Sequence, residues 1–385
     1  MSKEKKIREP WIHITKRDTM PWQKSLVIRA VAILLALVAC SVVTVLMTDL
    51  NPLTMFGALI EGVFGSEIDL AGVLVLLQNA AILLCISLAV TPAFKMRFWN
   101  IGAEGQVLMG GLSAAACMIC LRGKVSGGVL ILLIFLTGII AGMIWGVVPA
   151  IFKAKWGTNE TLFTLMMNYI AMQIVSYFVV VWENPKGSGK IGIINGFLSE
   201  HRYVGWLPDL FGQKYVINII IAVMVMVLMY VYLKYSKQGF EISVVGESES
   251  TARYVGINVK KVVIRTMAVS GALCGLAGVL LVAGTHHTIA PDTAGGQGFT
   301  AVMVSWLSKF NPFVMAAVSL LIAFLEKGAG GLATNANLNA SFADVLIGII
   351  LFFIIGCEFF IGYQIHFANK HQKKQLTEGG QTDVR

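Results

Sequence analysis

Eight apolar runs, each long enough to cross a bilayer as a helix, dominate this chain: 26–47, 70–93, 101–121, 129–151, 161–182, 215–234, 262–285 and 342–362. A spanning helix needs about 20 mostly apolar residues. The stretch 297–328 is interrupted by Lys309, Asn311 and Pro312, which divides it into 297–308 and 312–328 and raises the expected number of spans to about ten. Composition agrees. Of 385 residues, 56% are hydrophobic and 13% charged, whereas about a quarter of a soluble domain is charged. A chain with so little polar material cannot cover itself in water, so the fold class expected is an all-α polytopic membrane protein. A disordered chain and a soluble enzyme are excluded on the same ground, and the net charge of +9 does not signify a nucleic-acid partner.

The basic residues instead set the topology. Cytoplasmic segments of membrane proteins are enriched in Lys and Arg. Residues 1–25 carry Lys3, Lys5, Lys6, Arg8, Lys16, Arg17 and Lys24, which predicts a cytoplasmic N-terminal segment. The basic lead and the length of the first run also argue against a cleaved signal peptide, so 26–47 is expected to remain as an anchor. The loop 48–69 carries Asp49, Glu61, Glu67 and Asp69 but no basic residue, and reads as an outer loop. With ten spans, 22 of the 30 basic residues fall inside, among them Lys370, Lys373, Lys374 and Arg385 of a cytoplasmic tail 363–385. Seven fall outside: Arg122, Lys124, Lys186, Lys190, Arg202, Lys214 and Lys327.

The order of spans suggests a duplication. Spans one to five occupy 26–182 and spans six to ten 215–362, with an extracellular loop 183–214 between them. In each half the third span opens on a glycine-rich turn, Gly102-Ala103-Glu104-Gly105-Gln106 and Gly295-Gly296-Gln297-Gly298-Phe299. Five spans is an odd number, so the second half must be inverted. A 5+5 inverted repeat with interrupted helices is a transporter architecture.

Catalytic and metal signatures are missing. There is no G-x-x-x-x-G-K-[ST] phosphate loop, no H-E-x-x-H and no Ser/His/Asp set on a soluble scaffold. The chain is therefore not expected to bind ATP through a phosphate loop, nor to act as an enzyme. His286-His287 reads as a solvated polar turn. Cys40, Cys85, Cys117, Cys120, Cys274 and Cys357 all lie in apolar runs and imply no disulfide framework. Cys117 and Cys120 place two small apolar side chains on one helix face rather than a redox pair.

What remains are polar residues at membrane depth, which are costly unless they face a cavity or a partner. The candidates for a substrate pathway are Asn79 beside Gln78, the cluster Trp99, Asn100, Glu104 and Gln106, then Asn168, and Gln297 with Thr300. Hydrogen bonding between helices is the competing role for each, and for Glu104 that role is capping its own helix. The inside loop 235–261 holds a second feature. Ser248 is placed to cap a short helix through Thr251–Tyr254, and Gly256 to end it. Such a helix suits docking onto a partner, or is a solvated connector.

At these residues the chain resembles a known family. Phe98-Trp99-Asn100-Ile101-Gly102-Ala103-Glu104-Gly105-Gln106 is similar to the signature of permease subunits of bacterial nucleoside ABC importers, within the wider group of ribose-type and branched-chain amino-acid permeases. Thr158-Asn159-Glu160-Thr161-Leu162 and Leu165-Met166-Met167-Asn168-Tyr169-Ile170-Ala171 resemble its next block. Ala252-Arg253-Tyr254-Val255-Gly256-Ile257-Asn258 resembles the segment that contacts the ATPase, and Ser270-Gly271-Ala272-Leu273 with Gly275-Leu276-Ala277-Gly278 the helix after it. The likeness runs over about 70–360. It departs at Ser248-Glu249, where the family often has Asn-Pro, and at Leu307-Ser308, where it tends to have Leu-Gly.

The resemblance implies a permease in the bacterial cytoplasmic membrane with both termini cytoplasmic. It also implies ATP-binding cassette subunits that hold ATP and Mg, a second and different permease, and an extracellular substrate-binding lipoprotein. ATPase coupling would fall to Glu247, Ala252, Arg253, Tyr254, Gly256 and Ile257. No cofactor would be bound directly, and no nucleic acid. Import of ribose-type sugars or branched-chain amino acids, an ion-coupled secondary carrier, and a non-transport membrane scaffold are the alternatives.

Overall fold

The computed structural model describes residues 12–17, 20–47, 51–65, 70–197, 199–200, 202–335 and 340–367. Lys3, Lys5, Lys6, Arg8, Asp49, Glu67, Asp69, Lys370, Lys373, Lys374 and Arg385, used above to predict topology, lie outside the described residues. Those described form a short strand β1 (Ile12–Lys16), then α1 (Trp22–Met47), α2 (Pro52–Phe64), α3 (Leu70–Lys95), α4 (Ala103–Cys120), α5 (Gly127–Trp156) and α6 (Glu160–Trp182). There follow α7 (Val216–Tyr235), α8 (Lys237–Glu247), α9 (Glu249–Tyr254), α10 (Val259–Leu281) running into a π-helical turn (Val282–His286), α11 (Gln297–Leu307), α12 (Pro312–Asn335), α13 (Ala340–Gly362) and β2 (Tyr363–Phe367).

Among the described residues, nine helices are long and apolar enough to cross a membrane, beginning with Gln23–Met47 and ending with Asp344–Gly362. The protein is an all-α multi-pass membrane protein. The remaining stretch, expected at 297–308, is α11, which at 1.5 Å per residue covers about 16 Å, half of a hydrocarbon core about 30 Å thick. Two helices were not anticipated. The loop 48–69 contains α2, too short to span, opened by Pro52 at its first helical position. The stretch 237–247 forms α8, N-capped by Ser236, whose hydroxyl accepts from the Gly239 amide at 2.9 Å.

The chain divides into two units, one of Met1–Ala58 with Leu332–Arg385 and the other of Leu59–Gly331. In the first, β1 and β2 pair antiparallel with Ile14 opposite Ile365. Arg29 binds Glu358 through Nε at 2.9 Å and Nη2 at 2.6 Å, tying α1 to α13. Because β1 directly precedes α1 and β2 directly follows α13, their pairing brings these two helix ends together.

In the second unit, α3 ends on Lys95, α5 carries Lys153 and Lys155 in its last turn, and α7 ends beside Lys234; this is the basic end of the unit. The core is a close meeting of α4, α5 and α10. Gly138, Gly142 and Gly146 recur every fourth residue on α5 and face Gly271 and Gly275 of α10, while Gly110 of α4 meets Gly275. A Cβ on Gly142 would stand 2.7 Å from the Gly275 nitrogen, and one on Gly146 would stand 2.9 Å from the Met267 oxygen. Small residues let backbones approach within the bilayer, where van der Waals packing rather than water exclusion holds helices together. Lys327, placed outside by the sequence reading, lies within α12, and its ammonium donates to Val63 O at 2.6 Å and Gly72 O at 2.7 Å.

Candidate functional site

The chain between α3 and α4 makes a turn to which residues singled out from sequence contribute side-chain hydrogen bonds. Asn100 accepts from the Gly102 amide at 3.0 Å and from Gln106 Nε2 at 3.3 Å. Its own amide lies 3.4 Å from Ser270 Oγ on α10. Asn168 on α6 accepts from the Gly105 amide at 2.9 Å and donates to the Ile101 carbonyl at 2.9 Å. Thr164 accepts from the Ile101 amide at 3.2 Å. Asn100, Glu104, Gln106 and Asn168 are all buried. Buried backbone groups need partners, and these side chains replace the helical ladder where the chain leaves α3 and starts α4.

Glu104 does not cap its own helix. Its Oε1 accepts from the Gly296 amide and its Oε2 from the Gly298 amide, each at 2.8 Å. These amides belong to the opening of α11, so the carboxylate caps the N-terminus of a helix from the other half of the sequence. The approach needs glycine: a Cβ on Gly298 would lie 2.7 Å from Glu104 Oε2, and Gly296 sits at φ +76°. The two glycine-rich turns of the sequence thus meet N-terminus to N-terminus. From this meeting α4 runs away from the basic end and α11 toward it, the arrangement an inverted repeat calls for. Asn168, which binds this turn, stands about 12 Å along α6 from its start at the basic end.

The passage expected at 297–308 is now traceable. The His287 carbonyl accepts from the Ile194 amide at 2.8 Å in the loop at the far end. From there the chain descends without regular helix to Gly296, and α11 completes the passage to the basic end, where Ser305 Oγ lies 3.0 Å from Thr91 Oγ1. The chain from Thr288 to Gly296 is irregular, with Ile289 and Ala294 buried and Asp292 and Gly295 exposed; such backbone is tolerated at membrane depth where it is buried in protein or lines a water-filled cavity.

The other expected pathway residues are placed differently. Trp99 is 47% exposed and stacks on Trp306, itself 46% exposed, with ring centroids 5.6 Å apart at 23°. Phe94 meets both rings edge-on. Trp306 carried no motif and was missed; only its aromatic character at the end of a short apolar helix marked it. Asn79, Gln297 and Thr300 are half-buried, and Gln297 Oε1 is buried with no hydrogen-bond partner. Thr300 Oγ1 lies 3.4 Å from the Gly296 carbonyl.

At the basic end, α9 is bounded as the sequence indicates. Ser248 accepts from the Thr251 amide at 3.2 Å. Beyond Tyr254, the Ile257 amide donates to Ala252 O at 2.9 Å and the Gly256 amide to Arg253 O at 3.1 Å, with Gly256 at φ +82°, a Schellman termination. Ala252 is buried and Ile257 half-buried, whereas Glu247, Arg253, Tyr254 and Gly256 are exposed, Tyr254 by 93%. Gly246 at the end of α8 is held against the Lys95 carbonyl, where a Cβ would also lie 3.3 Å from Met96 Cα. The α8–α9 hairpin is thereby seated on the end of α3, one step from the Trp99–Glu104 turn.

One sequence reading needs amendment. His287 is no solvated turn: its imidazole stacks on Trp206 at 3.5 Å and 2°, and burial pushes its pKa down to about 4. Among the described residues of 183–214, Gly205 packs against Met118 of α4 and Leu130 and Ile134 of α5. Asn195 there is buried and donates to Met118 O at 3.0 Å and Val204 O at 2.8 Å. Among the described residues no group of three or more His, Cys, Asp or Glu is placed to hold a metal ion.

Comparison with known proteins places this geometry. Residues 72–355 match the family described as branched-chain amino acid transport system / permease component. The guanosine ABC transporter permease protein NupP of Bacillus subtilis is 29% identical over 353 residues, covering 91% of this chain and 97% of its own length. The nucleoside ABC transporter permease protein NupB of Lactococcus lactis is 28% identical over 72% of this chain and 77% of its own. The glucose ABC transporter permease protein TsgB13 of Haloferax volcanii is 27% identical over 87% of this chain and 88% of its own. With nine long apolar helices, a buried junction of two helix starts and a family match over most of its length, the chain belongs to the branched-chain amino acid transport system permease family and is an ABC transporter permease.

Proposed function

We propose that this permease forms, with a second and different permease, the path by which nucleosides enter the cytoplasm of a bacterium. In this reading the basic end and both termini are cytoplasmic. ATP and Mg are bound and hydrolysed by partner cassette subunits, and an extracellular binding lipoprotein delivers cargo to the loop 183–214. The observation that carries the nucleoside reading is the guanosine relative, matched over 91% of this chain. Sugar import is the second reading, favoured by the similarity to the glucose permease.

The mechanism divides the labour among the sequence candidates. Asn100, Glu104, Gln106 and Asn168, with their polar atoms engaged by the chain itself, hold the turn and the start of α11. Trp99 and Trp306 present half-exposed ring faces beside that turn, and base–aromatic stacking is worth about 1–3 kcal/mol. Asn79, Gln297 and Thr300 supply polar contacts along the path. Exposed Tyr254 and Arg253 and buried Ala252 transmit ATPase closure through α8 to α3, and Glu247, Gly256 and Ile257 shape the contact. Uptake of labelled guanosine, uridine, glucose and leucine by cells with and without this gene tests the cargo. Loss of nucleoside uptake alone is expected. Loss of glucose or leucine uptake with nucleosides untouched overturns the reading.

A further inference from the structure

We propose that a cavity at the end of the permease opposite its basic end is a reception site for the base of an incoming nucleoside, distinct from the Glu104 junction. The proposal rests on the nucleoside reading above. The cavity measures about 690 Å³ and is lined by Tyr203, Trp206, Tyr215, Asn218, Thr285 and His287 among others, a size within the range of small-molecule sites.

Its floor is a polar group left incomplete. Thr285 Oγ1 faces the Leu280 carbonyl at 3.2 Å as a donor, and receives the Asn218 amide at 3.3 Å and the Gln78 amide as well. With its NH₂ committed to Thr285, Asn218 keeps its Oδ1 against Gly284. That oxygen is buried and has no partner, on a residue only 1% exposed. An orphaned buried acceptor costs about 1–3 kcal/mol, so a group that donates to it from the cavity would be stabilising. The surroundings are built to hold it there. The π-helical turn brings Gly284 so close that a Cβ would stand 2.6 Å from Asn218 Nδ2, and π-turns within α-helices gather at functional sites.

The wall supplies the rest of the recognition. Trp206 stacks on His287, and Tyr203 meets Trp206 edge-on at 4.8 Å. Trp206 is itself fixed by its indole donating to Ile194 O at 2.8 Å. His287 Nδ1 is a second buried atom without a partner. Flat apolar rings beside two unmet polar atoms suit a planar heteroaromatic ligand edged with N–H donors.

The test is photolabelling of the complete transporter complex in lipid nanodiscs with 8-azidoguanosine, followed by peptide mapping, alongside guanosine uptake. Labels are expected within 203–218 or 284–287, displaced by excess guanosine and not by glucose. Asn218→Leu should remove them and raise the guanosine KM by about fivefold, the loss of roughly one hydrogen bond, with kcat retained. His287→Phe, which keeps a ring against Trp206, should weaken labelling similarly if Asn218→Leu fails to fold. Labels confined to other segments, or an unchanged KM in both variants, overturn the proposal while guanosine uptake persists. Absence of guanosine uptake by the unaltered complex instead refutes the cargo reading on which it rests.

Discussion

The Glu104 carboxylate accepts the amide of Gly298 at 2.8 Å across 194 positions of chain, joining the start of α4 to the start of α11. Removing the side chain leaves the Gly296 and Gly298 amides unmet in a buried site, at about 1–3 kcal/mol each. Glu104→Ala should therefore lower the melting temperature as well as abolish uptake. Glu104→Gln, which keeps one acceptor oxygen, should lie between the two in both assays. Thermal denaturation followed by size-exclusion chromatography, paired with uptake, checks the order. A Glu104→Ala protein as stable as its parent would show that the carboxylate is not the cap.

A second expectation concerns the glycine stripe. Gly142→Ala places a Cβ 2.7 Å from the Gly275 nitrogen, so α5 and α10 must separate, and the expected cost is several kcal/mol with loss of folded protein in detergent. Gly128→Ala, on the same helix with nothing within 4 Å of the added carbon, should be neutral or stabilising by up to about 1 kcal/mol. Equal melting temperatures for the two variants would remove the close backbone contact from the explanation.

At the α9 hairpin the exposed and buried faces separate. Tyr254→Ala deletes a side chain that is 93% exposed, so stability should change by less than about 0.5 kcal/mol while cargo-stimulated ATP hydrolysis by the complex falls. Gly256→Val forces a β-branched residue to φ +82°, and should lower both hydrolysis and the stability of the hairpin. ATPase assays on the purified complex, with hydrogen exchange over 247–258, separate the two outcomes.

His287 gives a pH dependence with a defined sign. Burial is the main cause holding its pKa near 4, below the ordinary 6.5, helped by His286 and Lys214 and opposed by Asp209 and the Ala283 carbonyl. Between pH 6.5 and 4 the unfolded chain binds the proton and the folded chain does not, so stability contributed by this site is lost as pH falls through that window. Unfolding temperatures measured at pH 7.5, 6 and 5 should decline more steeply for the parent than for His287→Phe. Parallel declines would show that the stack on Trp206 does not keep the imidazole neutral.

Much of this architecture is legible in the residues. Spans are written as apolar runs, and the bounds of α9 follow from Ser248 and Gly256 because capping is local chemistry. The buried polar cluster is also visible, since Asn100, Glu104, Gln106 and Asn168 are conspicuous among apolar neighbours. Their partners are not, because Glu104 meets Gly296 and Gly298 only after the chain has folded through six further helices. The amphipathic signal of α8 is masked by Gly239 and Gly246, which serve close contacts with the carbonyls of Leu233 and Lys95 rather than helix propensity. Lys327 looks like a loop residue until the Val63 and Gly72 carbonyls that accept its protons are known. Trp306 and Asn218 become notable only beside Trp99 and Thr285.

The most direct measurement is accumulation of tritiated guanosine by proteoliposomes holding this chain with its cassette subunits, second permease and binding lipoprotein. Accumulation is expected with hydrolysable ATP and Mg at the basic end, with no effect of a proton or sodium uncoupler. Guanosine uptake that survives without ATP and stops with the uncoupler, or ATP-driven uptake of glucose with guanosine refused, is the opposite result and ends the case for an ATP-driven nucleoside importer.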